Sequence, residues 1–110
     1  QVLAYDIGAD GKLGPRRDFA KLSGLRDTDT GPSSGADGLA IDRDGRLYVA
    51  TTDGVQVFSA KGAALGTIAL PKAPQNLAFA GDDKKTLFVV GRGAVYSIAT
   101  LSGGYPGRAK

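Results

Sequence analysis

The sequence predicts an all-β chain, a partial β-propeller arc built of four-stranded antiparallel blades. Three observations lead there. Apolar and polar residues alternate over short runs, as on half-buried strands. Seventeen glycines, five prolines and repeated Asp-Gly steps supply many turns and leave little room for long helices. A set of short strands then returns after about 40 residues, a period that suits propeller blades.

Residues 1–23 read as the last two strands of a preceding blade, Val2 to Ile7 and Arg17-Asp18-Phe19-Ala20, with Asp10-Gly11 in the turn. Residues 24–36 form a long loop without a periodic apolar face, well beyond the usual connection of about 4–6 residues. Such a loop lines a mouth, acts as a lid, or is a solvated crossover. Residues 37–70 make one complete blade: Leu39-Ala40-Ile41, Leu47-Tyr48-Val49, Val55 to Phe58 and Leu65 to Leu70. Turns at Arg43-Asp44-Gly45-Arg46, Thr52-Asp53-Gly54 and Ala60-Lys61-Gly62 join its strands.

Residues 71–100 repeat the beginning of that blade with Asn76 to Phe79, Thr86 to Val90 and Ala94 to Ile98. Leu39 corresponds to Leu77, Leu47 to Leu87 and Val55 to Val95, at spacings of 38, 40 and 40. Residues 101–110 read as an irregular C-terminal tail.

Nine strands, grouped as two, four and three, fall short of the roughly four blades that a closed ring needs. An open arc exposes an apolar face and unpaired strand edges. The expected partners are therefore the remaining blades, from an upstream segment or another chain, or further copies in a homo-oligomer. A self-contained antiparallel sandwich of unequal sheets is the alternative.

The formal charge of +3 is spread over scattered basic residues, among them Arg16-Arg17, Lys84-Lys85, Arg108 and Lys110, with no interleaved aromatics. That argues against nucleic-acid binding. No apolar run is long enough for a bilayer span, and Gln1 opens no recognisable leader. The chain reads as soluble, and its lack of cysteine fits cytoplasm, periplasm or secretion without choosing.

Without histidine, no Ser-His-Asp arrangement can form around Ser33 or Ser34 within this chain. Without histidine or cysteine, a closed nitrogen–sulfur zinc site is excluded too. Oxygen ligands remain, suited to calcium, magnesium or manganese. Asp27-Thr28-Asp29-Thr30-Gly31 fails as a helix–loop–helix calcium site, because Gly31 and Pro32 stand where an oxygen ligand and the turn glycine belong. It reads as a mobile polar loop. Asp10, Asp42, Asp44, Asp53, Asp82 and Asp83 read as turn residues, since aspartate bonds to nearby backbone and its neighbouring glycines tolerate positive φ.

Asp37 differs by its place. It directly precedes the innermost strand of the complete blade, at the axial end where blades converge. Asn76 lies near the corresponding point one blade later, so the repeat brings two oxygen-bearing side chains toward one axis. Asp37 is the candidate metal or substrate contact, with capping as the alternative; Asn76 is a weaker substrate-binding candidate.

The chain resembles the senescence-marker-protein-30/gluconolactonase/luciferin-regenerating-enzyme-like family. The matching words are Tyr5-Asp6, Phe19-Ala20, Ala36-Asp37-Gly38-Leu39-Ala40-Ile41-Asp42 and Asp44-Gly45-Arg46-Leu47-Tyr48-Val49-Ala50. Gly54-Val55, Val57-Phe58, Gly62, Pro74 and Lys85-Thr86-Leu87-Phe88-Val89 continue the series. The resemblance implies the C-terminal portion of a six-bladed propeller with a divalent metal at the centre of one face. The metal is expected to be calcium foremost, with magnesium, manganese or zinc as alternatives.

In the family's enzymes that site hydrolyses sugar lactones or related cyclic esters, and Asp37 matches the aspartate that binds the metal and takes part in catalysis. Ala36 replaces the usual proline, which loosens the backbone without removing the ligand. The other family ligands, a glutamate and two asparagines, have no counterpart here, and Asn76 is not one of them. The implied mechanism is polarisation of the lactone carbonyl by the metal, with carboxylate help in deprotonating water. On this reading the chain alone is inactive. Alternative readings are a non-catalytic metal-containing binding or scaffold module, and a cyclic-ester or organophosphate hydrolase.

Overall fold

The computed structural model describes residues 1–107; Arg108 and Lys110 lie outside it. Its strands are β1 (Val2–Ala4), β2 (Arg17–Ala20), β3 (Leu39–Ile41), β4 (Leu47–Thr51), β5 (Gly54–Phe58), β6 (Ala64–Ile68), β7 (Asn76–Ala80), β8 (Thr86–Gly91) and β9 (Ala94–Ala99). They form three antiparallel sheets of two, four and three strands, each joining sequence neighbours in order. This all-β topology is consistent with a partial β-propeller-like fold, and the sheets do not close into a ring. Among the described residues no helix is long and apolar enough to cross a membrane.

The central sheet explains the arrangement. Every residue of β4 is buried, because side chains alternate between two covered faces. Ala40, Tyr48, Ala50 and Val55 pack on Leu77, Leu87 and Val89 of the third sheet. Leu47, Val49 and Phe58 turn the other way, onto Ala20 and Leu22 with Val2 and Phe19 beside them. Tyr48 and Phe79 meet edge to face, centroids 5.2 Å apart at 86°, locking the second interface. Each large apolar side chain removed from water here contributes about 1.5–3 kcal/mol.

The 40-residue repeat turns exposure into a comparison within one chain. Tyr48 and Val55 are 8% and 0% exposed beneath the third sheet, whereas Phe88 and Val95, forty positions on, are 40% and 69% exposed. Leu39 shows the converse at the other end: it is 44% exposed beside the narrow two-stranded sheet, while Leu77 is 2% exposed beneath the central one. A radius of gyration of 14.4 Å, above the about 13 Å of a compact chain this size, fits an open stack.

Two strands depart from the sequence reading at their ends. The segment Leu65 to Leu70 is strand only as Ala64–Ile68, because β5 begins at Gly54 and leaves nothing beyond the Val55–Ile68 pair. A bulge between Val57 and Phe58 draws in Ala64 instead. The run Val2 to Ile7 is strand only over Val2–Ala4, and Ile7 makes a single bridge to Leu13.

The tail is no free exit. Arg43 N donates to Gly103 O (2.9 Å), Gly104 N to Lys84 O (2.9 Å) and Tyr105 N to Ile41 O (3.0 Å). This stitches Gly103 to Tyr105 between the ends of the first strands of two sheets. Gly104 lies on the Phe79 ring, where a Cβ would stand 2.8 Å from Cγ. The approach depends on two adjacent glycines, and no periodicity announces it.

Candidate functional site

Asp37 and Asn76 lie at the end of the sheets opposite that tail. Asp37 N donates to Ala50 O (3.0 Å) and Ala50 N donates to Gly38 O (2.9 Å), extending the β3–β4 pairing past Leu39. Gly38 N then crosses to the next sheet, donating to Gln75 O (2.8 Å). The starts of β3 and β7 are thereby tied side by side, and a Cβ on Gly38 would come within 2.8 Å of Asn76 Cα. The glycine of this Asp-Gly step serves close approach between strands. It is not one of the glycines with positive φ.

The Asp37 side chain is exposed and makes no hydrogen bond or ion pair among the described residues. Asn76 is exposed too, and its Oδ1 accepts from Leu77 N (2.9 Å). One carboxylate and one amide oxygen are hard donors suited to calcium or magnesium, ions that take at least six oxygens. Among the described residues no three acidic, histidine or cysteine side chains cluster. The donors fit such an ion in kind, and the rest of its shell would come from outside this set.

The loop before Asp37 is built where the sequence suggests mobility. Arg26 and Ser33 exchange backbone hydrogen bonds of 2.8 Å in both directions, making a small hairpin tipped by Thr28 to Gly31. Gln56, buried in β5, holds its base: Ser23 N donates to Gln56 Oε1 (3.0 Å), and Gln56 Nε2 donates to Ser23 O and Thr51 Oγ1 (both 3.1 Å). Asp53 does more than turn duty, pairing with Arg26 Nη2 at 2.6 Å. Thr52 N donates to the carbonyl of buried Ser34 (3.0 Å), fixing the last stretch of the loop. The one sequence sign of Gln56 is an amide in the middle of an apolar strand.

At the opposite end Asp42 is also more than a turn residue. It is fully buried and accepts from Asp44 N, Arg46 N, Arg46 Nη1 and the Tyr48 hydroxyl at 3.0, 2.9, 3.0 and 3.2 Å. Arg46 bridges on to Asp44 at 2.8 Å. Burial, then the negative charge of Asp42, pushes the Tyr48 phenol above the ordinary tyrosine value. Asp10 and Asp83 keep plain turn roles, accepting from Lys12 N (3.1 Å) and Lys85 N (2.9 Å). The backbone and side chain of Lys12 draw the Asp10 carboxyl below its usual range.

A family model described as an SMP-30/gluconolactonase/LRE-like region matches residues 1–92. Among solved structures, a gluconolactonase from Xanthomonas campestris, described as important in glucose secondary metabolic pathways, aligns with a TM-score of 0.68 at 30% identity over 88% of this chain and 28% of that one. The X-ray structure of a candidate gluconolactonase aligns with a TM-score of 0.61 at 25% identity, over 92% of this chain and 46% of that one. The chain therefore spans less than half the length of either structure. No curated protein sequence matches it.

Proposed function

The chain belongs to the SMP-30/gluconolactonase/LRE-like family, and on that premise we propose that it is the C-terminal portion of a metal-dependent sugar-lactone hydrolase. Sheets outside this chain would complete a six-bladed ring. Asp37 is the carboxylate that holds a divalent ion, calcium first among candidates, and Asn76 faces the substrate beside it.

One observation carries the reading: Gly38 packs against Asn76, so the residue that bears the unpartnered Asp37 carboxylate stands beside the start of the neighbouring sheet. Two exposed oxygen donors at the convergent end of stacked sheets form a polar start for a site, and the docked loop borders it. A bound divalent ion would supply Lewis acidity toward an ester carbonyl. The chain contributes an anionic ligand at Asp37, which is also the group able to accept a proton from water there. Asn76 Nδ2 offers a donor for a ring hydroxyl. The chain's lack of histidine leaves no imidazole base to compete for that role.

The experiment is Asp37→Asn in the assembled protein, with calcium affinity measured by calorimetry and hydrolysis of gluconolactone by proton release. Calcium affinity should fall at least about tenfold, and turnover with it. Unchanged affinity and turnover would remove Asp37 from the site.

A further inference from the structure

The repeat sets two strands in the same place within their sheets but with different neighbours. In the central sheet β5 is paired on both edges, to β4 and β6. In the third sheet β9 pairs with β8 alone, and no described residue pairs with its other edge. A groove of about 610 Å³ opens between the central sheet and the end of β9. Val57, Ile68 and Ile98 supply its apolar walls, and Arg43 and Lys85 stand at the end near Thr100. Arg46, in the same groove, is neutralised by Asp42 and Asp44; Arg43 and Lys85 have no carboxylate partner among the described residues.

We propose that this edge and groove take an extended polypeptide segment as a fourth strand, antiparallel to β9 and bearing an acidic residue at its N-terminal end. The orientation follows from β6, whose first residue, Ala64, lies opposite Phe58 at the end of β5. A strand placed likewise on β9 begins beside Ala99 and Thr100, where Thr100 N donates to Lys85 O (2.9 Å). Its first side chains then meet the two unpaired cations. Alternate residues further along fall on Val57, Ile68 and Ile98. Main-chain hydrogen bonds supply the affinity, while groove and charge select the sequence. The segment binds whether or not the Asp37 end holds a metal.

The test uses the isotope-labelled 110-residue chain and an acetylated peptide made of aspartate followed by the sequence of residues 62–70, the chain's own fourth strand. Two further peptides carry N-methyl groups on one or the other set of alternate residues. Amide exchange in β9 should slow about tenfold at saturating peptide, while that of β4, already buried, stays protected throughout. One of the two methylated peptides should lose binding and the other keep it. Exchanging the peptide's aspartate for lysine should weaken binding about threefold, and Lys85→Glu in the chain should reverse that preference. Unchanged β9 exchange, equal binding of all three peptides, or protection of β9 by self-association of the free chain would each overturn the proposal.

Discussion

Gly38 packs so tightly against Asn76 that a methyl group in place of its hydrogen would sit 2.8 Å from the Asn76 Cα. Gly38→Ala puts that methyl into backbone, which cannot rotate aside. Where alanine fits, losing glycine stabilises a chain by about 0.4–1 kcal/mol. Here the clash prevails, and urea unfolding should show a loss of about 1–3 kcal/mol. A neutral or stabilising result would mean that the two strand starts stand further apart than described.

The Gln56 amide is the anchor of the loop. Gln56→Leu keeps the buried volume but leaves the Ser23 amide and carbonyl without their partner, at a cost of about 1–3 kcal/mol. Trypsin should then cut after Arg26 faster than in the unaltered chain, with cleavage products read by mass spectrometry. Equal rates would show that the Arg26–Asp53 pair and the Ser34 contact suffice to hold it.

Tyr48 sets a limit at alkaline pH. Its folded pKa is raised above the model value of 10.0, mainly by burial and then by Asp42, so the unfolded chain releases this proton first. Its contribution to stability is complete below about pH 10 and falls as pH rises from there toward the folded value. Asp42→Asn removes the neighbouring charge and should bring the Tyr48 titration down, seen as earlier phenolate absorbance among the four tyrosines. A Tyr48 titration that does not move would leave burial as the whole cause.

Val55 and Val95 occupy equivalent places with opposite surroundings. In the 110-residue chain Val55→Ala should cost about 1–3 kcal/mol and Val95→Ala less than about 0.5 kcal/mol. Once a further sheet covers the third one, Val95→Ala should become the costlier change of assembly. Equal costs in the chain alone would mean that Val95 already has a covering neighbour.

Much of this was legible in the residues. The alternation around Leu47, Val55 and Leu87 marks the strands, and the return of the pattern separates the central sheet from the third. Asp37 and Asn76 could be brought to one end from their positions before Leu39 and Leu77 alone. Strand ends were less legible: β6 stops at Ile68 because its partner begins at Gly54, a fact about pairing and not about Ala69 or Leu70. The loop misled for a related reason. Its polar side chains carry no apolar period, and what orders it is backbone hydrogen bonding and one amide from a strand 33 positions away. The tail has the same character, since Gly103 and Gly104 act through the side chains they lack. Asp42 looked like a turn residue and is one, but its complete burial depends on Arg46, Tyr48 and Gly104 arriving together.

The central claim is that a divalent ion sits at the Asp37 end of the stacked sheets. The most direct measurement is paramagnetic broadening by manganese in the assembled, isotope-labelled protein, compared between unaltered chain and Asp37→Asn. The amides of Asp37, Gly38 and Asn76 should broaden at substoichiometric manganese and those of Asp42 to Arg46 should not, with Asp37→Asn abolishing the effect. Broadening centred on Asp29, on Asp82 and Asp83, or on the buried Asp42 turn, with Gly38 and Asn76 untouched, would contradict it.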